Sequence, residues 1–161
     1  MTVSKETYES FVRLARMSKD QPTFGKAYEL ILSRGQEFTN VNKELSLKIR
    51  KTYGLKNKQC FANCQRMAFY QGFTYYEGLA LSTVWIPVSH AWLVTPEGEV
   101  VDPTWMRPRK PLTANDYFGI AVPVDFICKH QQRTGYYDEL LPYYVRQLLE
   151  EQHGYTKSSK G

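Results

Sequence analysis

The segment 87–104 constrains the fold of this chain most, because it predicts a β-hairpin of defined register. Two apolar runs rich in β-branched residues flank the sequence TPEG at 95–98, which is a strong turn signal. Pro96 suits the second position of a type I turn, and Gly98 suits the left-handed residue that follows it. The sequence therefore predicts a hairpin with a three-residue loop, 96–98.

That loop length determines which side chains share a face of the hairpin. With 96–98 as the loop, Thr95 pairs with Glu99, and Trp92 then lies opposite Asp102. Strand alternation places His90 on the same face, as a diagonal neighbour of Asp102 within side-chain reach. A two-residue loop would put the histidine and the aspartate on opposite faces. The turn chemistry therefore predicts a histidine–carboxylate pair.

A cysteine lies near the start of a predicted helix. The sequence from 58 to 71 is helical in pattern, with Asn57 as a plausible N-cap and Gly72 as its stop, so Cys60 falls in the first turn. A helix N-terminus and a neighbouring imidazolium both favour a thiolate over a thiol. The unpaired N–H groups of that turn can also stabilise an oxyanion, at about 3 kcal/mol for each donor lost.

The remaining pattern predicts an α+β domain, in which N-terminal helices and the cysteine-bearing helix pack on a small antiparallel sheet. A single domain is expected over residues 1–154, followed by a disordered tail, 155–161. The other expected elements are a helix after Ser4, one ending at Gly35, one ending at Gly54, strands at 73–81, 83–94, 99–102 and 120–122, and a helix at 138–152, with Pro142 either in its first turn or at a kink.

Composition excludes several classes of protein. No apolar run is long enough for a membrane span, and the N-terminus has no secretory h-region, so a cytoplasmic protein is expected, with non-classical secretion or delivery as an effector left open. Three cysteines without a signal peptide predict reduced thiols. The net charge of +5 comes from scattered basic residues without a nucleic-acid-binding motif, so no nucleic-acid partner is expected. No cofactor is expected.

The middle third of the sequence resembles a known group of enzymes. The strings KQCFANCQRMAF, YYEGLA, PVSHAWLV and GEVVDPTW, within residues 57–107, are similar to the core of transglutaminase-like and papain-like cysteine enzymes, most of all their compact bacterial or phage members. Arylamine N-acetyltransferases and peptide N-glycanases share the same Cys, His, Asp order. The resemblance implies an acyl hydrolase or transferase with Cys60 as nucleophile, His90 as general base and then acid, and Asp102 as the orienting carboxylate.

The resemblance leaves the substrate contacts open. Papain-like enzymes place an oxyanion-hole glutamine several residues before the cysteine, whereas Gln59 is directly adjacent to it, so Asn57 becomes the candidate for the second donor. Glu77, in the string YYEG, is a candidate for pocket lining or structural support. Trp92 and Trp105 either line the cleft or fill it. The expected partner is a protein, a peptide or a small amide or thioester substrate, and the reaction is hydrolysis, deamidation or transfer.

Other residues compete for these roles. Cys64 lies one helical turn after the candidate nucleophile and is the rival thiol, although its deeper position favours a packing role. Cys128 is expected in the core. His130 lies in a polar run and is expected on the surface, and His153 is expected near a helix end.

Two other functional classes remain as alternatives. A zinc site could use Cys60, Cys64 and His90, with Cys128 or Asp102 as a fourth ligand, although the C-x2-C spacing of zinc knuckles is missing. A non-catalytic, partner-binding protein on the same fold is the second alternative. An occluded cysteine, or a histidine that points away from it, would favour that interpretation.

Overall fold

A computed structural model describes residues 2–22, 24–70 and 72–158, the side chains as far as residue 152. Within this part the chain forms six helices and five strands, as an α+β fold. In chain order the elements are α1 (Lys5–Met17), α2 (Gly25–Arg34), β1 (Gln36–Phe38), α3 (Lys43–Tyr53), α4 (Cys60–Met67), β2 (Thr74–Ser82), β3 (Pro87–Val94), β4 (Val100–Val101), β5 (Thr113–Ala121), α5 (Val124–Thr134) and α6 (Leu141–Ser158).

The strands form one curled antiparallel half-barrel in the order β1-β5-β2-β3-β4. Strands β2 and β5 are the longest and lie at its centre. Strand β4 covers β3 only at Leu93 and Val94, so within the described residues the rest of β3 has no strand beyond it. An open stretch of sheet edge therefore lies beside His90.

Each face of the sheet carries its own apolar core. The face toward the helices buries residues from β2, β3 and β5 against α1, α2 and α6, with Phe11, Ile31 and Phe118 among the buried side chains. The opposite face buries a smaller aromatic cluster around Trp92 and Tyr117. The apolar parts of both faces are therefore withdrawn from water, which is the main stabilising term for a domain of this size.

Two glycines allow β2 and β5 to approach closely at the centre of the sheet. A Cβ on Gly78 would lie 2.3 Å from the carbonyl oxygen of Phe118, and a Cβ on Gly119 would lie 2.4 Å from that of Glu77. A Cβ on Gly119 would also lie 2.6 Å from the ring of Trp92. Only glycine fits at these two positions without a shift of backbone or ring.

The predicted N-terminal helices are confirmed. The side chain of Ser4 caps α1 by accepting from the backbone N–H of Thr7 at 3.1 Å. Helix α3 ends at Gly54, whose φ of 59° is left-handed, as the sequence pattern predicts. Helix α2 ends before Gly35, but that residue is extended rather than left-handed, with a φ of −65°.

The cysteine-bearing helix α4 is shorter than predicted, since it covers Cys60–Met67 rather than 58–71. Asn57 is not its N-cap. Gln59 occupies the cap position without a side-chain hydrogen bond, and Lys58 before it has a left-handed φ of 62°. This turn separates Asn57 from the helix, and the prediction that the cysteine lies in the first turn is confirmed.

Each of the four predicted strands corresponds to a strand of the structure, but the bounds differ. The expected strand 83–94 is a turn over residues 83–86 followed by β3, and Trp85 in that turn has a φ of 62°. The sequence has no glycine or asparagine there to signal a turn. Strand β5 is longer than the expected 120–122, and the short strand β1 was not predicted.

Helix α5 was not predicted, and it overturns the expectations for two residues. His130 is not on the surface: it is 2 per cent exposed and packs against Phe126 on the buried face of the helix. Cys128 is half-buried rather than part of the core. Both follow from the period of a helix, because residues four apart share a face and residues two apart do not.

The C-terminal helix is confirmed, with Pro142 in its first turn. It begins at Leu141 and reaches Ser158, within the segment expected to be disordered; residues 159–161 and the side chain of His153 lie outside the described part. In the described part of the chain, no helix combines the length and the apolar character needed to cross a bilayer.

Candidate functional site

The hairpin of β3 and β4 has the register that its turn chemistry predicts. The backbone N–H of Thr95 donates to the carbonyl of Glu99 at 2.9 Å, and Val94 pairs with Val100. Gly98 adopts a left-handed φ of 84°. The loop therefore has three residues. Side chains that lie opposite each other on β3 and on the segment after β4 consequently point to the same face of the hairpin.

As a result His90 and Asp102 meet in the interior. His90 Nε2 lies 2.8 Å from Asp102 Oδ2, and both side chains are withdrawn from water. The hydroxyl of Tyr117 donates to the same oxygen at 2.8 Å, and the N–H of Trp105 donates to Oδ1 at 3.0 Å. The backbone N–H of Asp102 donates to Ser46 Oγ at 3.0 Å. The carboxylate is therefore held in one orientation from three sides.

The imidazole of His90 interacts with both the carboxylate and the candidate nucleophile. Burial lowers its pKa, but the charge of Asp102, their hydrogen bond, and a hydrogen bond and charge interaction with Cys60 outweigh burial and raise the pKa to about 10. Since Asp102 engages Nε2, Nδ1 is the nitrogen that remains for the cysteine. The ring of Trp105 stacks on the imidazole with centroids 3.9 Å apart. The geometry favours an imidazolium between a carboxylate and a sulfur.

Helix α4 brings Cys60 to this point because it packs on β3 at the open edge that β4 leaves uncovered. Cys64, one turn later, is fully buried, and its Sγ donates to the carbonyl of Ala91 at 3.5 Å. Burial raises the pKa of the Cys64 thiol well above its usual value, and the charges of Asp102, Cys60 and Glu77 add to the effect. Of these two thiols, only the half-buried Cys60 combines contact with the imidazole and access from solvent.

Two polar side chains join the loop before α4 to the loop after β4. Asn63 is buried, and its Nδ2 donates to the carbonyl of Lys56 at 2.8 Å and to Thr104 Oγ1 at 2.9 Å. Arg50 donates to the carbonyls of Pro103 and Thr104 at 2.9 and 3.1 Å, and also to Asn57 Oδ1. These bonds tie α3 and α4 to the segment that follows Asp102.

The other predicted site residues are not brought to the sulfur. Asn57 is exposed, with its side-chain oxygen engaged by Arg50. Trp92 is fully buried in the aromatic cluster below the histidine, so it fills the core, while Trp105 covers the imidazole. Gln59 is exposed at the start of α4.

Glu77 lies on the opposite face of the sheet from His90, because it pairs with Ala91 and strand side chains alternate. Its carboxylate accepts from the backbone N–H groups of Leu140, at 2.9 Å, and Leu141, at 3.3 Å. Burial raises the pKa of Glu77 to about 8 despite those bonds. The residue therefore supports the start of α6 and does not line the candidate site.

Sequence reasoning missed three residues that orient the site, namely Arg50, Asn63 and Tyr117. Their contacts span up to 54 positions in the chain, beyond the range of local patterns. The one local signal was the position of Asn63, a polar residue one turn after Cys60 in an otherwise apolar helix face.

Among residues 2–22, 24–70 and 72–158, no three His, Cys, Asp or Glu side chains are arranged so as to hold a metal ion. Cys60, Cys64 and His90 do lie on adjacent elements, but the Cys64 thiol points to a backbone carbonyl.

Set against protein-family models, curated proteins and solved structures, the chain gives no significant match.

Proposed function

We propose that this protein is a cysteine-dependent acyl hydrolase or transferase, with Cys60, His90 and Asp102 as its catalytic residues, on a papain- or transglutaminase-like fold. A cysteine-bearing helix at the edge of an antiparallel half-barrel, with histidine on one strand and aspartate after the next, supports this fold type. The substrate class is an amide or thioester of a protein, a peptide or a small molecule.

The observation that carries the proposal is the buried imidazole held between carboxylate and sulfur. His90 Nε2 lies 2.8 Å from Asp102 Oδ2, and interaction with the Cys60 side chain raises the pKa of the same imidazole. A nucleophile, a base in contact with it and a third group that orients the base define nucleophilic catalysis in general. Because Cys60 is half-buried rather than occluded and the histidine faces it, this geometry favours an enzyme over a non-catalytic binding protein.

In the first step the Cys60 thiolate forms a bond to the acyl carbon, and the carbonyl π electrons move to oxygen. Backbone N–H groups of the first turn of α4 are the available oxyanion donors, since the first N–H groups of a helix have no partner within it. The oxyanion collapses, the bond to the leaving amine or thiolate breaks, and His90 supplies the proton that the leaving group takes. A thioacyl-enzyme results.

In the second step water or an acceptor amine attacks the thioester carbon. His90 takes the proton of the attacking group, and Asp102 stabilises the imidazolium that forms. Collapse of the second oxyanion releases the product, and the thiolate and imidazolium are restored. Hydrolysis and deamidation both use water and differ in the leaving group, which is ammonia in deamidation, whereas amide transfer uses an acceptor amine.

The test is the alkylation of each cysteine by iodoacetamide as a function of pH, measured by peptide mass spectrometry in wild type and in His90→Ala. At about pH 6 an ordinary thiol is almost fully protonated and reacts slowly, because the thiolate is the reactive form. We therefore expect Cys60 to react far ahead of Cys64 and Cys128. In His90→Ala the advantage of Cys60 should disappear.

Cys128 is the internal control, because it is also half-buried but lies on α5. Reaction of Cys60 at the rate of Cys128 near neutral pH, or indifference to His90→Ala, would remove the main support for the enzyme. A circular dichroism spectrum of the variant that matches wild type would show that loss of reactivity is local.

A further inference from the structure

Strand β5 carries an irregularity next to the candidate site. Tyr117 of β5 pairs with Ala80 of β2. The next pair recorded toward the start of β5 is Thr113 with Ser82, so a step of four residues along β5 matches a step of two along β2. Asn115, within the extra length, has a left-handed φ of 65°. Two additional residues therefore bulge out of the strand, and bulges next to active sites commonly re-aim a side chain.

The bulge is held by a contact from α1. Asp116 Oδ2 accepts from the hydroxyl of Thr7 at 2.8 Å, across 109 positions of the chain. The Thr7 hydroxyl in turn accepts from Ser4 Oγ at 3.0 Å, the side chain that caps α1. A left-handed conformation at a residue other than glycine persists only where the surrounding structure holds it. The contact between the first helix and the fifth strand therefore fixes the bulge.

The bulge brings two hydroxyl groups together in the interior. Thr113 Oγ1 and Tyr117 Oη lie 2.6 Å apart, and both side chains are buried. In a regular strand, residues four positions apart are separated by about 13 Å, and their side chains stand roughly perpendicular to the sheet. The shorter path through the bulge therefore accounts for the contact.

The order of donors in this cluster is fixed at both ends. The carboxylate of Asp102 has no proton to give, so the Tyr117 hydroxyl donates to Oδ2 at 2.8 Å. A hydroxyl has one proton, so Tyr117 accepts from Thr113 Oγ1, which itself accepts from the backbone N–H of Asn115 at 3.0 Å. Burial and the charge of Asp102 raise the pKa of Tyr117 well above its usual value, so its hydroxyl remains a donor. A chain of donors therefore runs from the bulge to the carboxylate.

We propose that Thr113 and Tyr117 are positioning residues of the candidate site, and that their donor chain shares the negative charge of Asp102 and thereby makes His90 a stronger acid. Hydrogen bonds to a carboxylate stabilise its charge, and they polarise one another along a chain. The attraction between Asp102 and the imidazolium is therefore weaker than it would be without them, so His90 gives its proton to the leaving group more easily. This inference rests on the proposed function and names the residues that tune its acid.

The experiment measures the pKa of His90 from the pH dependence of its Cε1–H resonance in proton–carbon NMR spectra. All chains compared carry Cys60→Ser, which removes the thiolate from the titration. The chain has 3 histidines, and the resonance of His90 is the one that is missing in His90→Ala. The other titratable groups that interact with the Asp102–His90 pair are Cys64 on α4 and Arg50 on α3. They are the same in every variant, so their effects cancel.

Tyr117→Phe removes the last donor of the chain. It should raise the pKa of His90 by about 0.5 to 1 pH unit, which is part of the strength of a hydrogen bond to a charged group. Thr113→Val keeps the shape of the side chain without its hydroxyl and should raise the pKa about half as much. Thr113→Ser keeps the hydroxyl and should leave the pKa unchanged. Tyr76→Phe is the matched control and should also leave it unchanged, because the Tyr76 hydroxyl lies in the same aromatic cluster but donates to Gln36 at 2.6 Å.

The double variant Thr113→Val/Tyr117→Phe distinguishes a chain from two independent effects. If Thr113 acts through Tyr117, the double variant has the same His90 pKa as Tyr117→Phe alone. A further rise in the double variant, or an unchanged or lower pKa in Tyr117→Phe, would overturn the proposal. If circular dichroism shows that Tyr117→Phe does not fold, Thr113→Val is compared with Thr113→Ser, and equal pKa values lead to the same rejection. The proposed function fails separately, through the alkylation of Cys60, a residue that these chains do not contain.

Discussion

Replacement of Asp102 by asparagine tests the link between the carboxylate and the reactivity of the cysteine. The change keeps the size of the side chain and an oxygen that can accept from the N–H of Trp105. It removes the negative charge that now lies 2.8 Å from His90 Nε2. An amide N–H aimed at this nitrogen also favours the tautomer with its proton on Nδ1, which cannot accept a proton from the thiol.

The magnitude follows from the separation of the charges. Charge centres about 4 Å apart interact by about 4 kcal/mol at the effective dielectric constant of about 20 that suits such sites. Each 1.36 kcal/mol corresponds to a tenfold change in an equilibrium constant, so full loss would shift the balance between the thiolate–imidazolium pair and the neutral thiol–imidazole pair about a thousandfold toward the neutral pair. The amide dipole and local relaxation recover part of this energy. We expect the alkylation of Cys60 near pH 6 to slow by about tenfold or more.

The assay is the same peptide mass spectrometry, with Asp138→Asn as the matched control. Asp138 Oδ1 lies 2.7 Å from His130 Nε2, in a second histidine–aspartate pair away from the sulfur. Asp138→Asn should leave the pH profile of Cys60 unchanged. If Asp102→Asn also leaves the rate at pH 6 unchanged, while the variant remains folded, the carboxylate does not act through the histidine and the reasoning is refuted.

Three further predictions concern the surroundings of the site. Because burial raises the pKa of Glu77 to about 8, above its ordinary value of 4.5, the folded state binds a proton that the unfolded state has lost, and stability falls as pH rises between these values. The side chain of Glu77→Gln stays neutral at every pH, so the free energy of unfolding of this variant, measured by urea denaturation, should compare better with wild type at pH 8 than at pH 5. The gain should be on the order of a few kcal/mol. An equal difference between variant and wild type at both pH values would contradict this. Cys64→Ala removes one buried sulfur and should cost about 1–2 kcal/mol in the same assay, while the alkylation of Cys60 stays as in wild type; loss of that reactivity would make Cys64 part of the chemistry. Gly78→Ala places a methyl group 2.3 Å from a backbone oxygen and should lower the free energy of unfolding by about 3 kcal/mol or more. Gly54→Ala, where a Cβ has open space, should lower it less despite the left-handed φ of that residue. Similar shifts of the melting temperature for both variants would contradict the close approach of β2 and β5.

The sequence predicted those parts of the molecule that depend on local chemistry. Ser4 as a cap and Gly54 as a left-handed stop act on neighbouring backbone, so α1 and α3 could be recognised from their own residues. The hairpin register follows from one turn, since Pro96 and Gly98 determine the loop length. Helix α5 was missed because its apolar face is short and His130, a polar residue, completes it.

The structure decided the features that depend on contacts between distant segments. Whether Glu77 faces the site depends on its pairing with Ala91 across two strands, and that pairing places its carboxylate at the start of α6. Trp92 was a candidate for the cleft by alternation alone, but the aromatic cluster below the sheet buries it. In both cases alternation gave the face, and only packing determined what covers that face.

For the site itself, the division is equally clear. The amino-acid sequence alone determined that His90 and Asp102 share one face of a hairpin and that Cys60 begins a helix, because turn geometry and strand alternation act within a few residues. Tertiary structure alone decided that the helix meets the hairpin at an open sheet edge. The hydrogen bonds of Arg50 and Asn63 hold that meeting in place, and they join residues that no local rule brings together.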